Sequence, residues 1–230
     1  MTDAYYQDDY CTIYHGDCRD ILPQLSFDAV VTDPPYGITY EQTMKSAPKW
    51  AVISGDQSAA LAQWIIKEVH PMPMLVFGIN HFPSALPEPG RWVCWDKRLS
   101  KAADRMLGSP FELAWMNGPD KAGFMYRILH GGVVNADGVG QPRCHPMQKP
   151  VALFCCLLTD HFTTGIVLDP FMGSGTMLVA AKDLQRQAIG IELEEKYCEI
   201  AAERLASFEP LPFLPVEPAP DECLELFADD

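Results

Sequence analysis

Two short runs in this sequence bring together groups able to act on a nitrogen. The first is TDPPYG at residues 32–37, directly after the apolar run DAVV. Pro34 and Pro35 lack backbone donors and fix the local chain, so the Asp33 carboxylate and the Pro34 carbonyl can be aimed at one point beyond a strand end. Two acceptors suit an amino group with two hydrogens. Tyr36 adds a flat ring beside them, suited to stacking on a base drawn out of a helix. A bare PPY is as readily a proline turn with a capping Asp; Asp33 and Tyr36 flanking it favour the chemical reading.

The second run is DPFMGSGT at residues 169–176, between GIVL and TMLVAAKDL. Asp169, Pro170 and Phe171 lead into Gly173, Ser174, Gly175 and Thr176. A glycine-rich turn at a strand end lets a ligand approach the backbone, and a following helix start presents free N–H groups. Roughly twenty residues on, Glu192 ends the run AIGIE, where an acid can accept both ribose hydroxyls of an adenosine. The Lys of GxxxxGK[ST] is missing, and Asp169 would repel a pyrophosphate, so the pattern reads as a nucleoside site without a phosphate signature.

These runs need strands that end together. Seven short apolar segments read as strands, at residues 11–15, 28–33, 74–78, 91–95, 111–116, 165–169 and 188–192. Most do not alternate and are rich in Val, Ile and Leu, as strands buried on both faces are. Helical patterns lie at 57–69, 151–162, 176–184 and 194–207; in the last, Tyr197, Ile200, Ala201, Arg204 and Leu205 recur at helical spacing. The expectation is an α/β, Rossmann-like, doubly wound and mostly parallel seven-stranded sheet with helices on both faces. Residues 39–56 and 98–145 break the rhythm, and long irregular segments of this kind are usually functional or disordered. Trp92, Trp95 and Trp115 are expected in the core rather than as base-stacking groups.

With 230 residues, one larger domain is expected, spanning 1–208, with 209–230 as an acidic, Pro-rich tail. The chain has no 18-residue apolar stretch, and its start, MTDAYYQDDY, is acidic, so cytoplasmic residence is expected. Eight cysteines without a CxxC pair suggest neither zinc nor a disulfide framework; they read as reduced and mostly buried. A net charge of −14 argues at first against a nucleic-acid partner, since Lys and Arg supply most phosphate affinity. Yet residues 97–149 hold eight Lys or Arg against four acids, while seven acids and no base lie from Glu209 onward.

Taken together, the two runs resemble the S-adenosylmethionine-dependent amino methyltransferases of DNA, the N6-adenine/N4-cytosine family, in the group called beta, where the DPPY element comes early and the cofactor element late. The resemblance covers roughly residues 10–208. GDCRDIL (16–22), WDKR (95–98), FELAW (111–115) and HPMQKP (145–150) match characteristic blocks in order. It implies that Asp33, Pro34, Pro35 and Tyr36 hold the target base. Asp169, Pro170, Phe171, Gly173, Ser174, Gly175 and Thr176 would surround the methionine part of S-adenosyl-L-methionine, with Glu192 at its ribose and Asp17 with Cys18 at its adenine. Gln148 and Lys149 would close over the cofactor's carboxylate. On residue grounds alone, Asp17 is also suited to capping a turn and Lys149 to solvating a helix start. His81 and His145 have no readable partner.

The implied activity is methyl transfer to the exocyclic amino group of a DNA base. Adenine N6 is favoured over cytosine N4, because DPPY accompanies adenine more often and SPPY cytosine. A cytosine carbon-5 enzyme would need a cysteine where Tyr36 stands. Other readings are a catalytically silent nucleic-acid-binding module of the same fold, or methylation of RNA or of a protein glutamine, although the last usually shows Asn in place of Asp33. Residues 97–145 form a small expected DNA-recognition segment, with Lys97, Arg98, Lys101 and Arg105 facing phosphates; the alternative is that these cations solvate a loop and pair with Asp96 and Asp104. Four such contacts imply a salt slope near −3.6, at roughly −0.9 per phosphate. So short a segment allows relaxed specificity or a contribution from a second subunit, as in a homodimer.

Overall fold

The computed structural model describes residues 2–35, 59–87, 89–98, 109–119, 122–131, 134–135, 138–139 and 148–209. In chain order the strands are β1 (Tyr6–Gln7), β2 (Cys11–His15), β3 (Ala29–Thr32), β4 (Met74–Phe77), β5 (Gly90–Asp96), β6 (Phe111–Asn117), β7 (Phe124–Arg127), the short β8 (His130–Gly131), β9 (Val134–Asn135) and β10 (Gly138–Val139), then β11 (Val167–Asp169) and β12 (Ala188–Glu192). The helices are α1 (Cys18–Ile21), α2 (Ala60–Val69), α3 (Val151–His161), α4 (Thr176–Asp183) and α5 (Glu195–Ser207).

All seven expected strands form, but the sheet has nine described strands and is mixed, in the order β1-β2-β12-β11-β3-β4-β6-β5-β7. The seven-stranded expectation is thus corrected: β1, paired antiparallel with β2, and β7, parallel to β5, extend the two edges. Both are short, and a two- or four-residue edge strand leaves little periodicity to read. β2, β12, β11, β3 and β4 run parallel, and β6 is antiparallel to both of its neighbours. β8, β9 and β10 form a separate small antiparallel sheet.

The continuous apolar strands are buried on both faces, as their composition requires. Every residue of β3 and of β4 is buried. Successive side chains alternate between layers: Val31 packs in the core that contains Leu153, Leu157, Leu178, Ala201 and Leu205 of α3, α4 and α5, and Val30 in the core that contains Ile65 and Ile66 of α2. In α5 the inward stripe includes Ala201 and Leu205 as its spacing requires, with Cys198 also buried. Trp95 and Trp115 are core residues, but Trp92 of β5 stays 45% exposed. Among the described cysteines Cys11, Cys18 and Cys198 are buried and Cys156 is exposed, and all six are free thiols.

This topology fixes where a ligand can bind. β3 leads to β4 on one side, whereas its neighbour β11 leads to β12 on the other. Adjacent parallel strands whose connections leave in opposite directions open a crevice beyond their carboxyl ends, where α/β sheets bind ligands. Asp33 follows β3 and Asp169 ends β11, so both motifs stand at this crevice.

Candidate active site

The crevice is built from four parallel strand ends. Leu168 of β11 pairs with Val30 of β3, Asp169 with Gly190 of β12, and Glu192 of β12 with His15 of β2. Glu192 and Asp169 therefore end neighbouring strands, and Asp17 lies two residues beyond β2, where the Gly16 N–H donates to the Glu192 carbonyl at 2.9 Å. A side-chain bond ties the two motifs together: Thr32 Oγ1 donates to Asp169 Oδ1 at 2.7 Å, both residues being buried.

Asp169 also accepts from the Phe171 N–H at 3.1 Å, which bends the chain into the glycine turn. Burial drives its carboxyl up to about 7; the Thr32 and Phe171 hydrogen bonds oppose the rise, and the Asp33 and Glu192 charges add to it. Glu192 is likewise raised by burial, although its two oxygens accept from the Gly173 N–H at 3.0 Å and the Glu194 N–H at 2.8 Å. Two carboxylates raised in this way make a pocket that favours a cation and hydroxyl donors.

Gly175 caps α4 with φ +75°, and a Cβ there would stand 2.8 Å from the Ala201 Cβ, so only glycine permits the turn at this distance from α5. Arg204 of α5 holds the turn from outside: its Nη1 donates to the Ser174 carbonyl at 2.5 Å, and lies 3.2 Å from both Ser174 Oγ and Thr176 Oγ1. On β12, a Cβ at Gly190 would lie 2.4 Å from Met172 Sδ, so the strand must be bare for the turn to lie over it.

Asp17 caps α1 through the Arg19 N–H at 2.9 Å and forms an ion pair with the Arg19 side chain, which holds its carboxyl below the usual range. The capping suggested by its sequence position is present, and its nearness to Glu192 leaves it at the crevice as well. Cys18 is buried and its thiol is pushed up to about 12 by burial, so it is no nucleophile at neutral pH.

Lys149 belongs to the other motif's surroundings. Its ammonium is buried, paired with Asp33 Oδ2 and 3.3 Å from Glu112 Oε2, with the Phe77 ring centroid 4.5 Å away. Sequence reasoning put Lys149 at a cofactor carboxylate or in solvent; in the fold it faces the DPP motif. Pro34 is buried, Pro35 and Gln148 are half-buried, and Tyr36 lies outside the described residues. Lys97 donates to Glu112 Oε1 at 2.5 Å, and Arg98 Nε to Asp96 Oδ1 at 2.9 Å. Thus the pairing foreseen for Asp96 is present; Lys101, Arg105, Asp104 and His145 lie outside the described residues. Glu112, Thr32 and Arg204 were not singled out for the site. An acid inside the apolar strand FELAW was the available signal for Glu112, since a charge in such a run needs a partner.

The fold is that of an α/β methyltransferase. Residues 91–203 match the family model described as DNA methylase, that of the N6/N4 methyltransferases. Over 64 residues the chain is 48% identical to the Type II methyltransferase M.HpaI of Haemophilus parainfluenzae, and over 71 residues 42% identical to M.HinfI of Haemophilus influenzae. These alignments cover 27% and 30% of this chain but only 20% of each relative. The crystal structure of an M1.HpyAVI–SAM complex is similar with a TM-score of 0.55 and 26% identity, over 85% of this chain and 98% of that one. The cytosine-N4-specific PvuII DNA methyltransferase shares the fold, with a TM-score of 0.59 and 14% identity over 88% of this chain and 90% of that one. The resemblance read from the motifs is thereby shown: residues 91–203 carry the DNA methylase domain of the N6/N4 family. No helix among the described residues is long and apolar enough to cross a membrane.

Asp169 gives a prediction that needs no ligand. A carboxyl raised above its unfolded value favours folding while protonated, so its contribution falls as pH rises from about 4 toward about 7. Asp169→Asn should therefore gain stability relative to wild type between pH 5 and 8, by up to a few kcal/mol at about 1.4 per pH unit. Thermal unfolding of both proteins across that range checks it; parallel curves would show that Asp169 does not titrate there.

Proposed function

We propose that this chain transfers a methyl group from S-adenosyl-L-methionine to the exocyclic amino group of a DNA base, adenine N6 in preference to cytosine N4. The observation that carries the reading is the placement of Asp33 at the switch point of the sheet, bonded through Thr32 and Asp169 to the turn that leads toward Glu192. The residues fit that cofactor. Asp169 is a buried carboxylate suited to a cation, Glu192 an acid at a strand end suited to ribose hydroxyls, and the Gly175 turn cannot hold a side chain. When bound, the cofactor supplies a methyl already activated by its sulfonium.

The protein's own part is alignment and hydrogen bonding. The amino nitrogen of a base is a poor nucleophile because its lone pair is delocalised into the ring. Asp33 and the Pro34 carbonyl accept its two hydrogens, turning the nitrogen toward tetrahedral geometry and localising the lone pair. Tyr36 stacks on the extruded base. No covalent cysteine is required, in keeping with the high pKa of Cys18. Asp33 favours adenine, as DPPY does in the family.

Incubation with labelled cofactor and unmethylated DNA, followed by nucleoside mass spectrometry, tests the reading. N6-methyladenine is the expected product; N4-methylcytosine would move the substrate, and absence of labelled nucleoside would overturn the proposal.

DNA is held by the segment 97–145. Since Lys97 and Arg98 are already engaged by Glu112 and Asp96, Lys101 and Arg105 carry the phosphate contacts in this proposal. Replacing both by Ala should flatten the salt dependence of DNA affinity by about 1.8 in log–log slope, at roughly 0.9 per contact, and leave cofactor affinity unchanged. Binding titrations from 50 to 200 mM salt check this; an unchanged slope places the DNA elsewhere.

A further inference from the structure

Thr32 is the polar residue of β3, in a run, AVVT, that is buried throughout. A buried hydroxyl is costly unless it is bonded, and a valine would fill nearly the same space without that need. The hydroxyl finds its partner on the neighbouring strand. Thr32 Oγ1 donates to Asp169 Oδ1 at 2.7 Å, where β3 and β11 lie side by side and parallel. The Phe171 N–H donates to the same oxygen at 3.1 Å. Among the described residues no donor reaches Asp169 Oδ2.

A carboxylate offers about four lone-pair sites, two on each oxygen. With Oδ1 bonded twice, the Asp169 side chain is tied by one oxygen and keeps the other for a ligand at the end of β11. The same bonds act on its charge. Burial, with the Asp33 charge after β3 and the Glu192 charge on β12, drives the Asp169 carboxyl up to about 7, and the Thr32 and Phe171 hydrogen bonds favour its ionised form. Thr32 is thus one of two donors that keep a buried acid available as an anion.

We infer that Thr32, although it belongs to the run that leads into the base-holding motif, is a positioning residue for the cofactor: its hydroxyl holds Asp169 by Oδ1 and so presents Oδ2, as an anion, to the cationic methionine part. This rests on the function proposed above. It assigns β3 a part in both halves of the site, Asp33 toward the base and Thr32 toward the cofactor, through a bond that exists only because β3 and β11 are neighbours.

Thr32→Val tests this, because it keeps the branched shape and removes the hydroxyl. Affinity for S-adenosylmethionine at pH 7, measured by calorimetry, should fall about tenfold, the order expected for one hydrogen bond to a charged group. At saturating cofactor kcat should stay within about threefold, and Thr32→Ser should hold cofactor affinity within about threefold of wild type. In the cofactor-free protein the ¹³C signal of the Asp169 carboxyl should titrate at higher pH in Thr32→Val than in wild type, since a bond that favours the anion is gone. Four outcomes would each overturn the inference: a cofactor affinity within about twofold of wild type, an unmoved Asp169 titration, a loss confined to kcat, or equal losses for Val and Ser. Should Thr32→Val not fold, as thermal unfolding would reveal, Thr32→Ala is read by the same titration and affinity, with the same outcomes expected. Wild type that binds the cofactor but labels no DNA defeats the proposed function alone, whereas wild type that binds no cofactor defeats both.

Discussion

Asp33→Ala is expected to abolish methyl transfer, with a loss in kcat of at least about 10³-fold, while S-adenosylmethionine still binds. Loss of a single preorganised hydrogen-bonding group at a reacting centre costs about 10²–10³. In the proposed reaction the same carboxylate also orients the base, and it is paired with Lys149. The fold should survive, because the buried Lys149 ammonium keeps Glu112 as a partner at 3.3 Å and is not left as an isolated charge. Cofactor affinity should be nearly unchanged, since the acids expected to contact the cofactor stand on β11 and β12 and keep their own bonds, from Thr32, Phe171, Gly173 and Glu194. Calorimetry with the cofactor and single-turnover labelling of DNA measure the two halves separately. A variant that has lost cofactor affinity would move Asp33 from the target base to the cofactor side of the crevice.

Glu192→Ala should do the reverse, weakening the cofactor by about 100-fold or more. Two losses add. The ribose hydroxyls lose their acceptor, and the Gly173 and Glu194 N–H groups lose the carboxylate that holds the glycine turn against β12. Hydrogen bonds to a charged group contribute about 1.5–3 kcal/mol each, and tenfold in affinity corresponds to about 1.4 kcal/mol, so two such bonds cover the expected factor. Glu192→Gln keeps one acceptor oxygen and should lose less. Asp17→Asn should lose less again, because Asp17 is exposed enough to be satisfied by Arg19. Equal losses for all three substitutions would show a general collapse of the crevice rather than recognition of a ribose.

The apolar runs were legible along the chain because burial on two faces of a sheet leaves a continuous signature in composition. Val30 and Val31 serve opposite layers, so an unpartnered polar residue at either position would be costly. For the same reason β3, β4, β11 and β12 were readable, with the four longer helices, and the motifs at their ends were readable with them. The two edge strands were not, because Tyr6–Gln7 and Phe124–Arg127 are too short for a period to show.

By itself, then, the sequence determined the strand ends and the residue types placed there: Asp33 with its prolines, Asp169 with its glycines, and Glu192. Local chain geometry and burial periodicity suffice for that. Tertiary structure alone decided which charges meet. Lys149, Glu112 and Asp33 are distant in sequence and brought together across the end of β4, and Thr32 reaches Asp169 only because β3 and β11 are neighbours in the sheet. Strand order is set by packing and crossover connections rather than by any local pattern. A side chain's partner across the sheet, and with it the pairing of Lys149 with Asp33, is therefore invisible until the strands are laid side by side.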